Sequence, residues 1–225
     1  MDAYICTACG TQYVPSETPP AQCAICEEER QFVPPAGNVL WDCVSLIDDA
    51  TVTIVEALGG ISAIAISHPH FYTTMVEWSR AFGDVPIHLH AADRAWVIRP
   101  DQAIKFWDGD TLPLLPDLTM IRGGGHFPGG SMLHWAKGAG GRGVLCSSDI
   151  ATVATSRRLL TFMYSYPNFI PLSAKEVQGI AASLAPFRFD RIYGHYFDRV
   201  IPSGGEALLE ASVARYLAAI GGEKK

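Results

Sequence analysis

Four histidines and one aspartate stand at the ends of short apolar runs, where they could grip a metal ion. They occur in Ser67-His68-Pro69-His70, in Gly125-His126-Phe127-Pro128-Gly129-Gly130, in Ser148-Asp149 and in Gly194-His195. His68 and His70 follow Ile61–Ile66, Asp149 follows Val144-Leu145-Cys146, and His195 follows Ile192-Tyr193. Imidazole and carboxylate are the ligands that a borderline divalent cation takes. The neighbouring glycines allow backbone to approach such a centre closely. The chemistry implied is metal-assisted, with the ligands presented at strand ends.

A second ligand set lies near the N-terminus. Cys6-x-x-Cys9-Gly10 and Cys23-x-x-Cys26 are separated by thirteen residues. Each Cys-x-x-Cys turn offers two thiolates, and two turns complete a tetrahedron around Zn²⁺. The segment resembles a zinc ribbon or rubredoxin-like knuckle pair. The expectation is a structural zinc ion held by four thiolates, those of Cys6, Cys9, Cys23 and Cys26, in a module that could also meet a protein partner. Cys43 and Cys146 fall in strand-like runs and read as buried thiols.

The chain has 225 residues, 48% of them apolar, which suits one main domain and a small accessory module. A net charge of −6 gives no reason to expect nucleic acid or an anionic membrane as partner. No apolar run approaches the roughly 20 residues that span a bilayer. Met1–Cys6 lacks the charged start and apolar stretch of a signal peptide. The expectation is a cytoplasmic protein with thiols reduced.

Positioning these residues falls to alternating strands and helices. Residues 1–36 hold four of the six cysteines and five prolines and read as the first domain. Pro34-Pro35-Ala36-Gly37 closes it, and 37–225 read as the second. In that domain strands are expected over Val39–Ser45, Ile61–Ile66, Pro86–Leu89, Leu118–Arg122, Met132–Ala136, Gly143–Ser147 and Arg188–Tyr193. Ile104–Trp107 and Thr111–Leu115 flank Asp108-Gly109 and read as a hairpin. Helices are expected over Asp49–Leu58, Thr73–Phe82 and Thr155–Tyr164, and after the capping box Ser173-Ala-Lys-Glu176. Leu209, Val213, Tyr216, Leu217 and Ile220 mark a last amphipathic helix. The class is α/β (α+β).

On these residues the second domain resembles the metallo-β-lactamase superfamily, the fold of glyoxalase II-type hydrolases. The family's His-x-His-x-Asp-His motif aligns with His68-Pro69-His70-Phe71-Tyr72-Thr73, and its third-histidine loop with Gly124–Ser131. Asp149 and His195 fall on the bridging aspartate and the last histidine. The resemblance implies a four-layer αββα sandwich with the site at one edge. It implies that His68, His70 and His126 hold a first Zn²⁺. Tyr72 and Thr73 replace two residues that help hold a second ion, which would keep only Asp149 and His195. One well-held metal is therefore expected. Three imidazoles leave one coordination position open, and zinc lowers the pKa of bound water toward roughly 7. Asp149 is the carboxylate to orient that water or take its proton, and Tyr72 could donate a hydrogen bond to a developing oxyanion.

The activity expected is metal-dependent hydrolysis of an ester, thioester or related bond in a small-molecule substrate. One alternative is a degenerate, non-catalytic member that binds metal or ligand. Another is a mononuclear Fe²⁺ oxygenase of the persulfide-dioxygenase type, using His68, His126 and Asp149. His90 reads as backbone-bonded, with a ligand role as the sharper alternative, and His134 reads as structural. Gly138–Gly143 matches G-x-G-x-x-G, but no helix follows it, so a hairpin tip is expected there. Trp78, Phe127, Tyr164 and Tyr166 are candidates for the walls of a substrate pocket.

Overall fold

The computed structural model describes residues 16–18 and 38–221. The cysteine knuckles expected at Cys6, Cys9, Cys23 and Cys26 lie outside the described residues, as does the boundary at 36/37.

Two sheets form the centre of the molecule. The first contains β1 (Asn38–Trp41), β2 (Ile61–Ala65), β3 (Ile87–His90) and β4 (Ile104–Trp107), in that order and all parallel. Parallel neighbours need crossovers. α1 (Asp49–Ala57) and α2 (Met75–Ala81) supply the first two. Asp48 caps α1, its carboxylate accepting from the Thr51 amide at 2.7 Å.

The second sheet is mixed. β5 (Thr111–Leu115), β6 (Leu118–Arg122), β7 (Ser131–Trp135) and β8 (Val144–Cys146) run antiparallel to one another. β13 (Arg191–Tyr193) adds parallel to β8, and β14 (Val200–Ile201) closes the edge antiparallel. A single turn, α3 (Gly138–Gly141), joins β7 to β8, so the glycine-rich run does sit between paired strands. Between β8 and β13 come two small ladders and a helix. The ladders are β9 (Thr152–Val153) with β10 (Leu160–Thr161), and β11 (Met163–Ser165) with β12 (Ile170–Pro171). The helix is α4 (Ala174–Leu184), opened by the expected capping box between Ser173 and Glu176. α5 (Gly205–Ile220) ends the described chain.

Side-chain alternation along the strands sorts three cores. Ile64 points toward α1 and α2, into a cluster with Ile87, Leu89, Met75 and Trp78, while its neighbour Ala65 points the other way. On the second sheet Ile121, Met132 and Leu145 face α4 and α5, packing on Val177, Ile180, Leu209 and Tyr216. Their neighbours Met120, Leu133 and Cys146 face the first sheet, where Ala65, Trp107, Val39 and Trp41 meet them. Helix, sheet, sheet, helix is the four-layer αββα arrangement expected.

Two expected elements take another form. Ile104–Trp107 and Thr111–Leu115 are both strands, but they do not pair; β4 ends the first sheet and β5 begins the second. The Asp108-Gly109 turn therefore carries the chain from one sheet to the other. Thr155–Tyr164 is not a helix. Leu160 and Phe162 are buried while Thr161 and Met163 are less so, the two-residue period of strands. Arg157, at φ 54°, turns the chain between β9 and β10.

Candidate metal centre

The candidate ligand residues come from both sheets. His68 and His70 follow β2 in the first sheet, while His126, Asp149 and His195 follow β6, β8 and β13 in the second. The Ser131 amide donates to the Ser67 carbonyl at 2.8 Å and ties the two sheets beside the site. Gly125 lets the His126 loop turn at φ 75°, where a Cβ would lie 2.7 Å from Leu172.

One ligand atom each from His68, His70, His126 and Asp149 lies within 4.8 Å of all the others. His70 Nδ1 is 3.2 Å from His68 Nε2 and 3.5 Å from His126 Nε2, and His68 Nε2 is 3.5 Å from an Asp149 oxygen. With metal–nitrogen bonds of 2.0–2.1 Å, tetrahedral ligands stand about 3.3 Å apart. The donor set therefore fits a tetrahedral cation. His68, His126 and Asp149 are buried, whereas His70 is exposed and forms the open side.

The outer nitrogens fix which inner ones are free. His126 Nδ1 faces the carbonyls of Met163 and Tyr164 at 3.1 and 3.0 Å, so it carries the proton and leaves Nε2 with its lone pair. His68 Nδ1 lies 2.8 Å from Ser67 Oγ. That hydroxyl donates to the Asp42 carboxylate at 2.9 Å, so it accepts from His68 and leaves His68 Nε2 free. Asp42 is central to this support. It also accepts from the Ser67 amide at 2.7 Å and from Ser148 Oγ at 3.2 Å. Burial pushes its carboxyl up to about 7, against the opposing pull of the Ser67 and Ser148 hydrogen bonds. Cys43 and Cys146, both pushed up to about 12 by burial and then by the Asp42 charge, are thiols at neutral pH, as expected of core cysteines.

Burial takes His68 down to about 4, against the pull of Asp149, so its imidazole is neutral and ligand-ready at physiological pH. Burial, and then the His126 charge, lowers His70 too. Burial works against the charge on Asp149, but His195 and His68 outweigh it and hold the carboxyl well below the usual carboxylate range. His195 Nδ1 stands 2.8 Å from Asp149 Oδ1, yet it is buried without an aligned hydrogen bond. Among the described residues His195 stands outside the cluster of His68, His70, His126 and Asp149, whose ligand atoms all lie within 4.8 Å of one another. It reaches that cluster through Asp149 alone.

Tyr72 does not join this group. It packs in the core below the first sheet with Met75 and Trp78. It lines a cleft of about 240 Å³ with Pro69, Trp96 and Ile98, apart from the one lined by His70, Asp149 and His195. Burial, and then Asp93, hold its hydroxyl above the usual range. The oxyanion role read for it from its motif position lacks this proximity. Thr73 bonds the Cys43 carbonyl instead. His90 is satisfied by backbone, with Nε2 donating to the Gly109 carbonyl at 3.0 Å and Nδ1 accepting from the Ala92 amide at 3.1 Å. His134 donates to the Arg188 carbonyl at 2.8 Å. Of the aromatic candidates, Phe127 packs against all three metal-site histidines and Tyr166 lines the cleft, whereas Trp78 is core and Tyr164 is exposed.

No family model matches the chain. Solved structures match in fold. The Rm3 metallo-β-lactamase aligns with a TM-score of 0.56 at 18% identity, covering 85% of this chain and 87% of that one. MEM-A1, a subclass B3 metallo-β-lactamase from a soil metagenome library, gives 0.56 at 17%, covering 85% and 89%. The two-sheet sandwich is thus the metallo-β-lactamase fold. In sequence, the uncharacterized protein YmaE of Bacillus subtilis (strain 168) is 39% identical over 99% of this chain and 98% of its own. The chain belongs to the YmaE family. For this YmaE-family chain, Asp42, Ser67 and Ser148 are the supporting residues that sequence reading missed. The signal for Asp42 was an acid interrupting the apolar run Val39-Leu40-Trp41.

Proposed function

We propose that the chain is a metal-dependent hydrolase that acts on an ester, thioester or related bond of a small molecule. The observation that carries this reading is the near-tetrahedral spacing of the His68, His70 and His126 nitrogens, with Asp149 alongside. In this reading His68, His70 and His126 hold one zinc ion. Asp149 and His195 offer a weaker second position. Three imidazoles at tetrahedral spacing favour Zn²⁺ over the Fe²⁺ alternative, whose facial set takes two histidines and one carboxylate. A zinc ion bound there supplies Lewis acidity and a water with a pKa near about 7.

The chain's own residues do the rest. Asp149 remains charged at working pH and, as a weak proton acceptor, orients a water or ligand more readily than it takes a proton. Ser67 and the Met163 and Tyr164 carbonyls hold the His68 and His126 rings in place. The cleft of about 490 Å³ beside His70, Asp149 and His195 has the size of a small-molecule site. The reading also keeps a structural zinc at Cys6, Cys9, Cys23 and Cys26 and a cytoplasmic location.

Elemental analysis of the purified chain beside a variant with all four of these cysteines changed to serine tests the metal assignment. One zinc should persist in the variant. A panel of ester, thioester, phosphodiester and lactam substrates tests the activity. A four-cysteine variant that retains no metal, or a zinc-loaded chain inert toward the whole panel, would overturn the proposal.

A further inference from the structure

Beyond the ligands, one wall of the cleft carries a cation. β13 and β14 form a hairpin whose loop, residues 194–199, is closed by two backbone bonds. Gly194 N donates to the Arg199 carbonyl at 2.8 Å, and Arg199 N donates to the Tyr196 carbonyl at 3.0 Å. The two arms of this loop present His195 and Arg199 to the same cleft, which His70 and Asp149 also line. Among the described residues, Arg199 is the one cleft-lining side chain with a permanent positive charge.

That charge is paired on its solvent side and bonded to the cleft wall. The Arg199 side chain is 17% exposed, while its ion-pair partner Asp198 is 67% exposed and reaches into solvent. The Asp198 carboxylate is open to water, so an oxyanion entering the cleft can compete with it for the guanidinium. Nη2 donates to Thr155 Oγ1 at 3.3 Å, which fixes the fork against the cleft wall. The Tyr196 ring, 5.9 Å from the guanidinium, flanks it. A guanidinium has five N–H donors, and among the described residues its side chain makes two hydrogen bonds. The net charge of −6 repels anions at long range. A guanidinium beside a cluster that holds a cation would oppose that field within the cleft.

We propose that Arg199 is a specificity-determining residue: it receives an oxyanionic group, a carboxylate or phosphate, on the substrate whose scissile bond lies at the His68–His70–His126 centre. This inference rests on the hydrolase reading and adds the substrate's charge class. The planar fork matches both groups through paired hydrogen bonds.

The test uses the zinc-loaded full chain and thiols, which ligate zinc directly. A homologous series of ω-mercaptoalkanoic acids is titrated by calorimetry beside the uncharged ω-mercaptoalkanols of equal length. At the length that spans centre to arginine, the acid should bind on the order of tenfold to a hundredfold more tightly than the alcohol. Arg199→Gln should remove this preference while leaving alcohol affinity unchanged, and Arg199→Lys should restore part of it. The matching phosphonate separates the two anions: whichever gains more over the alcohol is the preferred class. No acid preference at any length, or a preference that survives in R199Q, overturns the inference. In that case, alcohols that still bind leave the metal centre standing. If zinc dialyses away from the histidines and neither series binds, the hydrolase reading fails and this inference fails with it.

Discussion

Asp42 offers the sharpest test of how the centre is built. Asp42→Ala removes the acceptor of three buried donors, the Ser67 amide, Ser67 Oγ and Ser148 Oγ. The two hydroxyls are 2.9 Å apart and can turn to each other, but the amide is stranded. A stranded buried donor costs about 1–3 kcal/mol. Charging Asp42 in place works in the opposite direction. Its carboxyl stands at about 7 against an ordinary 3.8, so the charged form carries a penalty of up to about 4 kcal/mol relative to water. A raised folded-state pKa means that the stability Asp42 contributes is fully present below pH 3.8 and is lost as pH rises through about 7. Urea denaturation of the zinc-free protein should therefore show D42A less stable than wild type by about 1–3 kcal/mol near pH 5, with the gap closing or reversing near pH 8. In the same variant the His68 ring loses the oriented Ser67 hydroxyl, and zinc affinity measured by chelator competition should fall about tenfold to a hundredfold. A stability gap that widens with pH, or unchanged zinc affinity, would refute this account of the Asp42–Ser67–His68 chain.

Other outcomes follow from the same geometry. His126→Ala should strip the metal from the histidine site, read by elemental analysis, while the ion proposed for the four N-terminal cysteines remains. Gly143→Ala places a Cβ 2.0 Å from the Arg188 carbonyl at φ 83°, and thermal unfolding should show a loss of about 3 kcal/mol or more. Tyr72→Phe should leave zinc affinity and turnover within about twofold and cost less than about 1 kcal/mol, because its hydroxyl lies off the cleft. A tenfold fall in turnover would restore the oxyanion role.

How much of this was legible beforehand depends on how local each signal is. The capping box at Ser173 and Glu176 lies within one helical turn, and it forms as read. His68-x-His70 and the glycine-rich His126 loop are short motifs whose ligand atoms do converge. Strand pairing is not local. Asp108-Gly109 is a real turn, but nothing in it says that Trp107 and Thr111 belong to different sheets. The apolar run predicts a strand that continues through Asp42 to Ser45. In the fold β1 stops at Trp41, and Asp42 turns at φ 58° to reach Ser67 and Ser148, 25 and 106 positions away. No local pattern marks Arg199, because its place beside His195 in the cleft depends on the β13–β14 hairpin closing.

The ligands also straddle a seam. His68 and His70 belong to one half of the sandwich, and His126, Asp149 and His195 to the other, so a cation held between them acts as a rivet. Any ion that binds only the folded chain raises its stability in proportion to the logarithm of its concentration over its dissociation constant. For this chain that gain opposes the parting of the halves, not merely the fraying of a loop. Removing such an ion should thus loosen the whole body, exposing Ala65, Met120 and Leu133 between the sheets to proteases and hydrogen exchange. Cellular abundance of the protein would then follow the supply of that ion.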